Sequence, residues 1–401
     1  MKAYSIVFAD PDKNMHDGHR RLIRALRPEW SVAFALTGRE AMNKINSLRP
    51  HAVVAELEME LENGGDLFKT VQKVYPEIIR IVLSGEPDGS SEAVLRATQS
   101  AHRFLAKPFK GEQLIEQIEK AADLRRFLRN PELVEVVGGI PYLPSLPGLY
   151  HELMAAVESP LISLQQIGDI IARDVSMTTR ILHLVNSAFF GLPRQVTNPQ
   201  TAVVLLGINV IKALVCYVKL FFAAPDNIIP GLSIDRLWAH SSMAAQVAKQ
   251  IAADLKASPQ AQEEAFLAGM LHDIGKLLLL EHPRYYHRVL NSISDNDEKS
   301  FSDAEYQVFS TSHAEAGAYL LGLWGLPDTV VEAVACHHRP DRLQFVNSPV
   351  LIATHLANVL LCKADKEPVS INQVIYNLPE VKRMFETWQK KAAQLLQESR
   401  K

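Results

Sequence analysis

The stretch Ala265-Phe266-Leu267-Ala268-Gly269-Met270-Leu271-His272-Asp273-Ile274-Gly275-Lys276 decides how the larger part of the chain folds. An unbroken run of small and apolar residues describes a buried helical segment, and it ends on an imidazole and a carboxylate. Upstream, Leu237, Ala244, Val247, Ala248, Ile251 and Leu255 form an apolar stripe at helical spacing, and His240 lies on it. Downstream, His313 opens a helix carrying Ala314, Gly317, Leu321 and Trp324 on one face. The pair His337-His338 closes the helical run Val330-Val331-Glu332-Ala333-Val334-Ala335. From about Leu149 onward almost every segment has this period, so an all-α domain is expected.

Ionisable groups on apolar faces are costly to bury unless they pair or bind a metal. Neutral imidazole and carboxylate suit Fe, Zn, Mn or Ni. A lone histidine is satisfied more simply by a backbone carbonyl or a helix end. Five histidines with an adjacent aspartate keep both readings open.

Before Arg129 the period is different. Ile6 to Ala9, Val32 to Leu36, Ala52 to Ala55, Ile78 to Leu83 and Phe104 to Ala106 read as short buried strands. Helical patterns such as Lys13–Arg27, Arg39–Leu48, Ser90–Gln99 and Gly111–Leu128 lie between and after them. Five strands alternating with helices predict a flavodoxin-like parallel sheet covered on both faces. Asp10, Glu56, Ser84 and Lys107 follow the carboxyl ends of four of those strands, where open parallel sheets form their ligand crevice. Two acids, a hydroxyl and a lysine there are suited to Mg²⁺ and a phosphoryl group.

Between the halves, Asn130-Pro131 reads as a helix stop. Gly138-Gly139 with Pro141, Pro144 and Pro147 predicts an extended, stiff linker. The expected divisions are 1–125, a linker 126–147, a helical domain 148–345, and a C-terminal helical extension 346–401 packing on it. In that extension Val381, Met384, Phe385, Trp388 and Leu395-Leu396 have helical spacing, which suits packing better than docking. Thr201 to Ala224 is the most apolar long stretch, but Gly207, Asn209, Lys212 and Lys219 interrupt it, so a buried helix is expected.

Lys plus Arg number 42 and Asp plus Glu 45, for a net charge of −3. That balance argues against a polyanion gripped along a basic face, and no DNA partner is expected. The Arg125-Arg126 pair is a solvated helix end rather than a nucleic-acid signal. Three widely spaced cysteines fit reduced thiols and a cytoplasmic protein, and nothing at the N-terminus looks like a signal peptide.

The first half resembles a response-regulator receiver domain over residues 4 to about 125, on Phe8-Ala9-Asp10, Leu83-Ser84-Gly85 and Phe104-Leu105-Ala106-Lys107-Pro108-Phe109. The resemblance makes Asp10 a metal acid, Ser84 the phosphoryl-contacting hydroxyl, Lys107 the conserved-type lysine and Phe104 the aromatic switch. It also implies an acid at Pro11 and an aspartate at Glu56, the phosphoacceptor position. Proline removes a Mg²⁺ ligand, so Mg²⁺ binding at the receiver is expected to be weak or absent. The longer Glu56 moves the would-be nucleophile by about one bond, which in-line attack tolerates poorly. It can instead reach Ser84 and Lys107 and imitate a phosphorylated aspartate. A pseudo-receiver with no phosphorylation at Glu56 is expected.

The second half is similar to the HD superfamily of metal-dependent phosphohydrolases and, more narrowly, to its regulatory relative, the HDOD domain. Leu143-Pro144-Ser145-Leu146-Pro147, Val185-Asn186-Ser187-Ala188-Phe189-Phe190-Gly191 and Leu205-Leu206-Gly207 carry the narrower resemblance. It implies metal-ligand positions at His240, His272 and Asp273, with His313, His337 and His338 as further ligands of the HD-GYP phosphodiesterase kind. Asn358 stands where a closing aspartate is expected, and Arg339-Pro340-Asp341-Arg342 lacks the Gly-Tyr-Pro of that branch. A bacterial two-component regulator acting by protein–protein interaction is therefore expected. Its partners would be signalling proteins such as a sensor kinase or a cyclic-dinucleotide enzyme, with no membrane insertion. The rival is a metal-dependent phosphohydrolase or cyclic-nucleotide phosphodiesterase.

Overall fold

The computed structural model describes residues 3–57, 59–61, 65–85, 100–124, 127–128, 130–140, 147–159, 162–186, 195–212, 234–280, 283–292, 300–342, 348–365 and 368–398. The expected helix Ser90–Gln99, the Arg125-Arg126 pair, the stretch 143–146 and the run 187–191 lie outside those residues.

Strands β1 (Ser5–Ala9), β2 (Ser31–Ala35), β3 (Ala52–Glu56), β4 (Ile79–Ser84) and β5 (Arg103–Ala106) form one parallel sheet in the order β2-β1-β3-β4-β5. Register pairs Val7 with Ala33 on one side and with Val53 on the other. Because alternate side chains leave opposite faces of a strand, Ile6 and Phe8 enter one core and Val7 and Ala9 the other. Ile23 of α1 (Lys13–Leu26) covers the first face; Ala41 and Ile45 of α2 (Gly38–Leu48) and Phe68 and Val71 of α3 (Leu67–Val74) cover the second. Asp12, Thr37 and Asp66 cap these three helices by accepting backbone N–H bonds. Helix α4 (Gly111–Asp123) returns to the first face through Leu114 and Ile118, and ends five residues before the expected Leu128.

The linker expected over 126–147 is helical ahead of its proline-spaced part, of which residues 141–146 lie outside the described residues. Pro131–Gly139 is a helix, α5. Asn130 does not end the preceding helix but caps this one, accepting from the N–H groups of Glu132 and Leu133, and Pro131 takes the first helical position. Asn followed by Pro suits a helix start as well as a stop, since proline lacks the N–H that would go unpaired there anyway. A Cβ on Gly138 would lie 2.3 Å from the Pro76 carbonyl oxygen, so glycine lets α5 touch the receiver backbone. Arg80, 1% exposed, then donates to the Gly138 carbonyl at 2.7 Å and to the carbonyls of Pro76 and Ile78.

Beyond it the described residues are helical: α6 (Pro147–Glu158), α7 (Leu164–Ile171), α8 (Val175–Val185), α9 (Pro199–Lys212), α10 (Ile234–Asp254) and α11 (Pro259–Leu271). They are followed by α12 (Ile274–Leu280), α13 (Pro283–Leu290), α14 (Phe301–Phe309), α15 (His313–Leu323), α16 (Asp328–Cys336), α17 (Pro349–Ala364), α18 (Gln373–Tyr376) and α19 (Pro379–Glu398). The apolar stretch 201–224 is not one continuous buried helix. Gly207 breaks α9 with φ 77°, and Val204 and Leu205 face outward. Residues 213–224 lie outside the described residues. Helix α19 packs on the body, burying Val381, Phe385, Trp388 and Leu396, and the Trp388 indole donates to Asp254 at 2.8 Å. Among the described residues no helix is long and apolar enough to cross a membrane.

Candidate functional site

Close helix crossings assemble the histidines. A Cβ on Gly269 of α11 would lie 2.6 Å from the Ala244 carbonyl oxygen of α10, so the two helices touch backbone to backbone. A Cβ on Gly275 of α12 would lie 1.9 Å from the His313 carbonyl oxygen. The first contact brings His240 beside His272, with their Nε2 atoms 3.2 Å apart. The second sets His313 Nε2 3.1 Å from Asp273 Oδ1.

All six residues expected as ligands fall in this one place. The donor atoms of Asp273, His313, His337 and His338 lie within 4.8 Å of one another, as do those of His240, His272 and Asp273. Asp273 belongs to both groups.

Tautomers follow from the outer partners. His272 Nδ1 donates to the Gly269 carbonyl and His337 Nδ1 to the Val334 carbonyl, each at 2.7 Å. A carbonyl can only accept, so both Nε2 atoms carry lone pairs directed at the cluster. His313 Nδ1 is held by Glu305 Oε2 at 2.6 Å, the carboxylate–histidine arrangement that orients metal ligands. His337 Nε2 and Asp273 Oδ1 are buried and receive no aligned hydrogen bond. Buried acceptors left in that state are costly, and a cation between them removes the cost. The residues therefore fit a metal ion, held by Asp273 with His313, His337 and His338, and a second by His240, His272 and Asp273.

The electrostatics of Asp273, His272, His337 and His338 agree with that donor set, whereas His313 must give up a proton to join it. Burial pushes the imidazoles of His272, His337 and His338 below the usual range, which keeps them neutral. Burial works to raise Asp273, but Lys276, 2.6 Å away, and the imidazoles around it hold the carboxyl well below its usual value. Burial also opposes protonation of His313, yet Glu305 and Asp273 raise it.

Asn358 sits in the cluster, its Oδ1 3.2 Å from His240 Nε2, and its amide nitrogen is buried with no partner. A neutral amide there adds no charge to hold a cation. The cleft over the cluster is lined by His337, His338, Arg339 and Asn358 with Ser300 and Asp303, and holds about 30 Å³. That is room for water, whereas sites for nucleotide-sized ligands start at roughly 300 Å³.

Three supporting residues were not among the expected ligands. Lys276 stands one helical turn beyond Asp273 and was legible from that spacing. Glu305 reaches His313 from another helix. His355 Nδ1 donates to the His337 carbonyl at 2.7 Å while its Nε2 accepts from Asn372 N, so His355 supports the site from behind. Neither of the last two had a signal in local spacing.

The receiver pocket forms at the carboxyl ends of β1, β3 and β5. Lys107 reaches Asp10 Oδ2 at 3.1 Å and also pairs with Glu56 Oε2. Burial alone would lower the ammonium, but the two carboxylates raise it. Asp10 Oδ1 accepts from the N–H of Asp12 at 2.8 Å. Ser84 is buried at the end of β4, and its carbonyl accepts from the Lys107 N–H at 2.7 Å. Phe104 meets the helical half instead of these charges, with its ring centroid 6.2 Å from that of His183.

Comparison with known proteins agrees with this architecture. The HDOD domain profile matches residues 143–340, and the response regulator receiver domain profile matches residues 6–119. The chain is thus a response regulator of the receiver–HDOD type, a signal-transduction protein. An uncharacterized protein of Treponema pallidum is 25% identical over 231 residues, which span 56% of this chain and 43% of that protein. The chemotaxis protein CheY of Thermotoga maritima is 33% identical over 89 residues, covering 22% of this chain and 72% of CheY. Among solved structures, the MmoQ response regulator of Methylococcus capsulatus is 21% identical with a TM-score of 0.47, covering 63% of this chain and 98% of that one.

Proposed function

We propose that the receiver half is held in one state without phosphorylation and that the HDOD half acts through protein–protein contacts. The observation that carries this reading is Lys107, already paired with Glu56 and Asp10. The longer acceptor-position carboxylate occupies the lysine that a phosphoryl group would otherwise draw in. Mg²⁺ at the receiver is weak or absent in this reading, since Pro11 supplies no carboxylate. The narrow cleft over the histidines also favours an interaction module over an enzyme with a large phosphodiester substrate. Partners are signalling proteins, a sensor kinase or a cyclic-dinucleotide enzyme among them, and a cytoplasmic location goes with the reading. Incubation with acetyl phosphate and Mg²⁺ is expected to leave no stable label. Mg²⁺-dependent labelling that Glu56→Gln abolishes would overturn it.

A second reading, a metal-dependent phosphohydrolase, is favoured by His337 Nε2, a buried acceptor with no donor, and by Asp273 Oδ1, which faces His313 Nε2 at 3.1 Å without an aligned bond. A bound Fe, Zn, Mn or Ni ion would polarise phosphate and activate water. Elemental analysis of purified protein decides first. Stoichiometric metal that His272→Ala/Asp273→Ala removes, with turnover of cyclic dinucleotides, supports the enzyme. Metal without turnover leaves the interaction module with a structural ion. In that case chelation should lower stability by about 3 kcal/mol, the linkage expected when metal stands at a hundred times its Kd.

A further inference from the structure

Helix α15 begins inside the histidine cluster and ends at the receiver. Its first residue, His313, is fixed twice by Glu305, through its backbone N–H at 3.0 Å and through Nδ1 at 2.6 Å. Its eleven residues are all buried, and at 1.5 Å per residue it spans about 16 Å.

At the far end the helix runs into its own turn, with the Gly325 N–H donating to the Gly322 carbonyl at 3.0 Å and the Leu326 N–H to the Leu321 carbonyl at 3.1 Å, yet each of the last carbonyls keeps a second lone pair. Arg103 of β5 supplies donors to two of them. Its Nη2 donates to the Gly322 carbonyl at 2.7 Å and its Nε to the Leu323 carbonyl at 3.4 Å. Arg103 is 7% exposed, and its Nη1 donates to Gln117 Oε1 at 2.6 Å, which fixes the guanidinium against α4. A cation at a helix carboxyl end also meets the negative pole of the helix dipole.

Neighbouring contacts close the joint. Leu124 Cδ2 lies 2.3 Å from where a Cβ on Gly322 would stand. His183 Nδ1 donates to the Trp324 carbonyl at 2.9 Å, and its ring faces Phe104. Close packing transmits strain, so a displacement at one end of such a helix is passed on to the other.

We propose that Arg103 is a positioning residue for the histidine cluster: by capping the carboxyl end of α15 it sets the position of His313 at the amino end. The receiver's β5 edge thereby tunes the ligand geometry of the HDOD site. Arg103 lies four residues before Lys107 along the same strand exit, so the acidic pocket and the cluster are joined by one strand and one helix. The coupling holds whether the cluster is catalytic or structural, so it goes beyond the functional reading above.

The test is side-chain NMR of the full-length protein with ¹³C-labelled histidine imidazoles, recorded without added metal and then titrated with Zn²⁺. Arg103→Ala is expected to move the His313 and His338 signals while exposed His287 stays in place. Any Zn²⁺ affinity at the cluster is expected to fall ~2- to 30-fold, the usual span of coupling through packed elements. Arg103→Lys, which retains a cation at the helix end, should restore most of both. Gln117→Leu loosens the guanidinium without removing it, and should give the same changes at smaller amplitude if Arg103→Ala fails to fold. Unmoved His313 and His338 signals, with amide exchange of β5 and α4 accelerated, would overturn the proposal and leave Arg103 as a docking contact only. A wild-type protein that binds no Zn²⁺ would count against the metal reading alone, because the imidazole signals report the coupling without it.

Discussion

The receiver pocket and the histidine cluster both gather carboxylates around a lysine, yet their charges are balanced differently. In the receiver, Lys107 is shared between Asp10 and Glu56, so cation and anions meet within the pocket. In the cluster, Lys276 takes one oxygen of Asp273, while the other oxygen and His337 Nε2 face inward with no aligned donor. In the receiver one ammonium serves both carboxylates, and in the cluster acceptors are left without an aligned donor. The difference shows that ionisable residues do not by themselves mark a binding site. What matters is whether the chain also supplies donors for their acceptors.

The contrast breaks most sharply at Asp273. Asp273→Ala removes the carboxylate that faces both Lys276 and the imidazoles. Breaking a buried ion pair leaves the remaining charge uncompensated, so urea denaturation should show a loss on the order of 3 kcal/mol. A loss within experimental error would mean that solvent reaches Lys276 freely and that the cluster is not a dry site.

A similar effect, confined to acid, is expected on the receiver side. His19 is stacked between Phe8 and Phe109, with both ring nitrogens buried and unpartnered. Burial lowers its pKa to about 4, from an ordinary value of 6.5. The unfolded chain takes up a proton near pH 6.5 and the folded one only near pH 4, so stability is intact above 6.5 and falls as pH drops through that window. The His19 contribution amounts to a loss on the order of 3 kcal/mol at pH 4. His19→Phe keeps the stack and should flatten the pH profile by that amount, leaving the shares of His183, which burial lowers to about 3, and of the cluster imidazoles that burial also lowers. An unchanged profile would show that His19 is hydrated in solution.

The smallest effect is expected at Glu56. Its side chain and that of Lys107 are each about a quarter exposed, at 23% and 24%. Partly screened pairs contribute little, so Glu56→Gln should cost less than about 1 kcal/mol by thermal or urea unfolding. A larger loss would show the pocket to be drier than the paired geometry implies.

Much of the architecture could be read without coordinates. The five strands begin and end within about one residue of the runs of apolar residues, because strands covered on both faces need unbroken apolar stretches. The helical half was equally legible from its period. Local chemistry misled at Asn130-Pro131, where a stop and a start share the same residues. It also showed Gly207 only as an interruption of an apolar run, not as the point where the backbone leaves the helical region.

The histidines could be named from sequence because each sits on an apolar face or at a helix end, where its type is out of place. Their meeting could not be derived from those positions. It depends on the glycines Gly269 and Gly275, which bring helices into backbone contact.

By itself, then, the sequence determined the two periods, the split into an α/β and an all-α half, and the residue types available to each site. Those properties are local, set by side-chain spacing within one element. Only the tertiary structure decided that Glu305 orients His313, that Asn358 faces His240, and that Arg103 caps a helix 219 residues further along the chain. Each of these is a contact between elements remote in sequence, fixed by shape complementarity and by the need to satisfy buried polar groups.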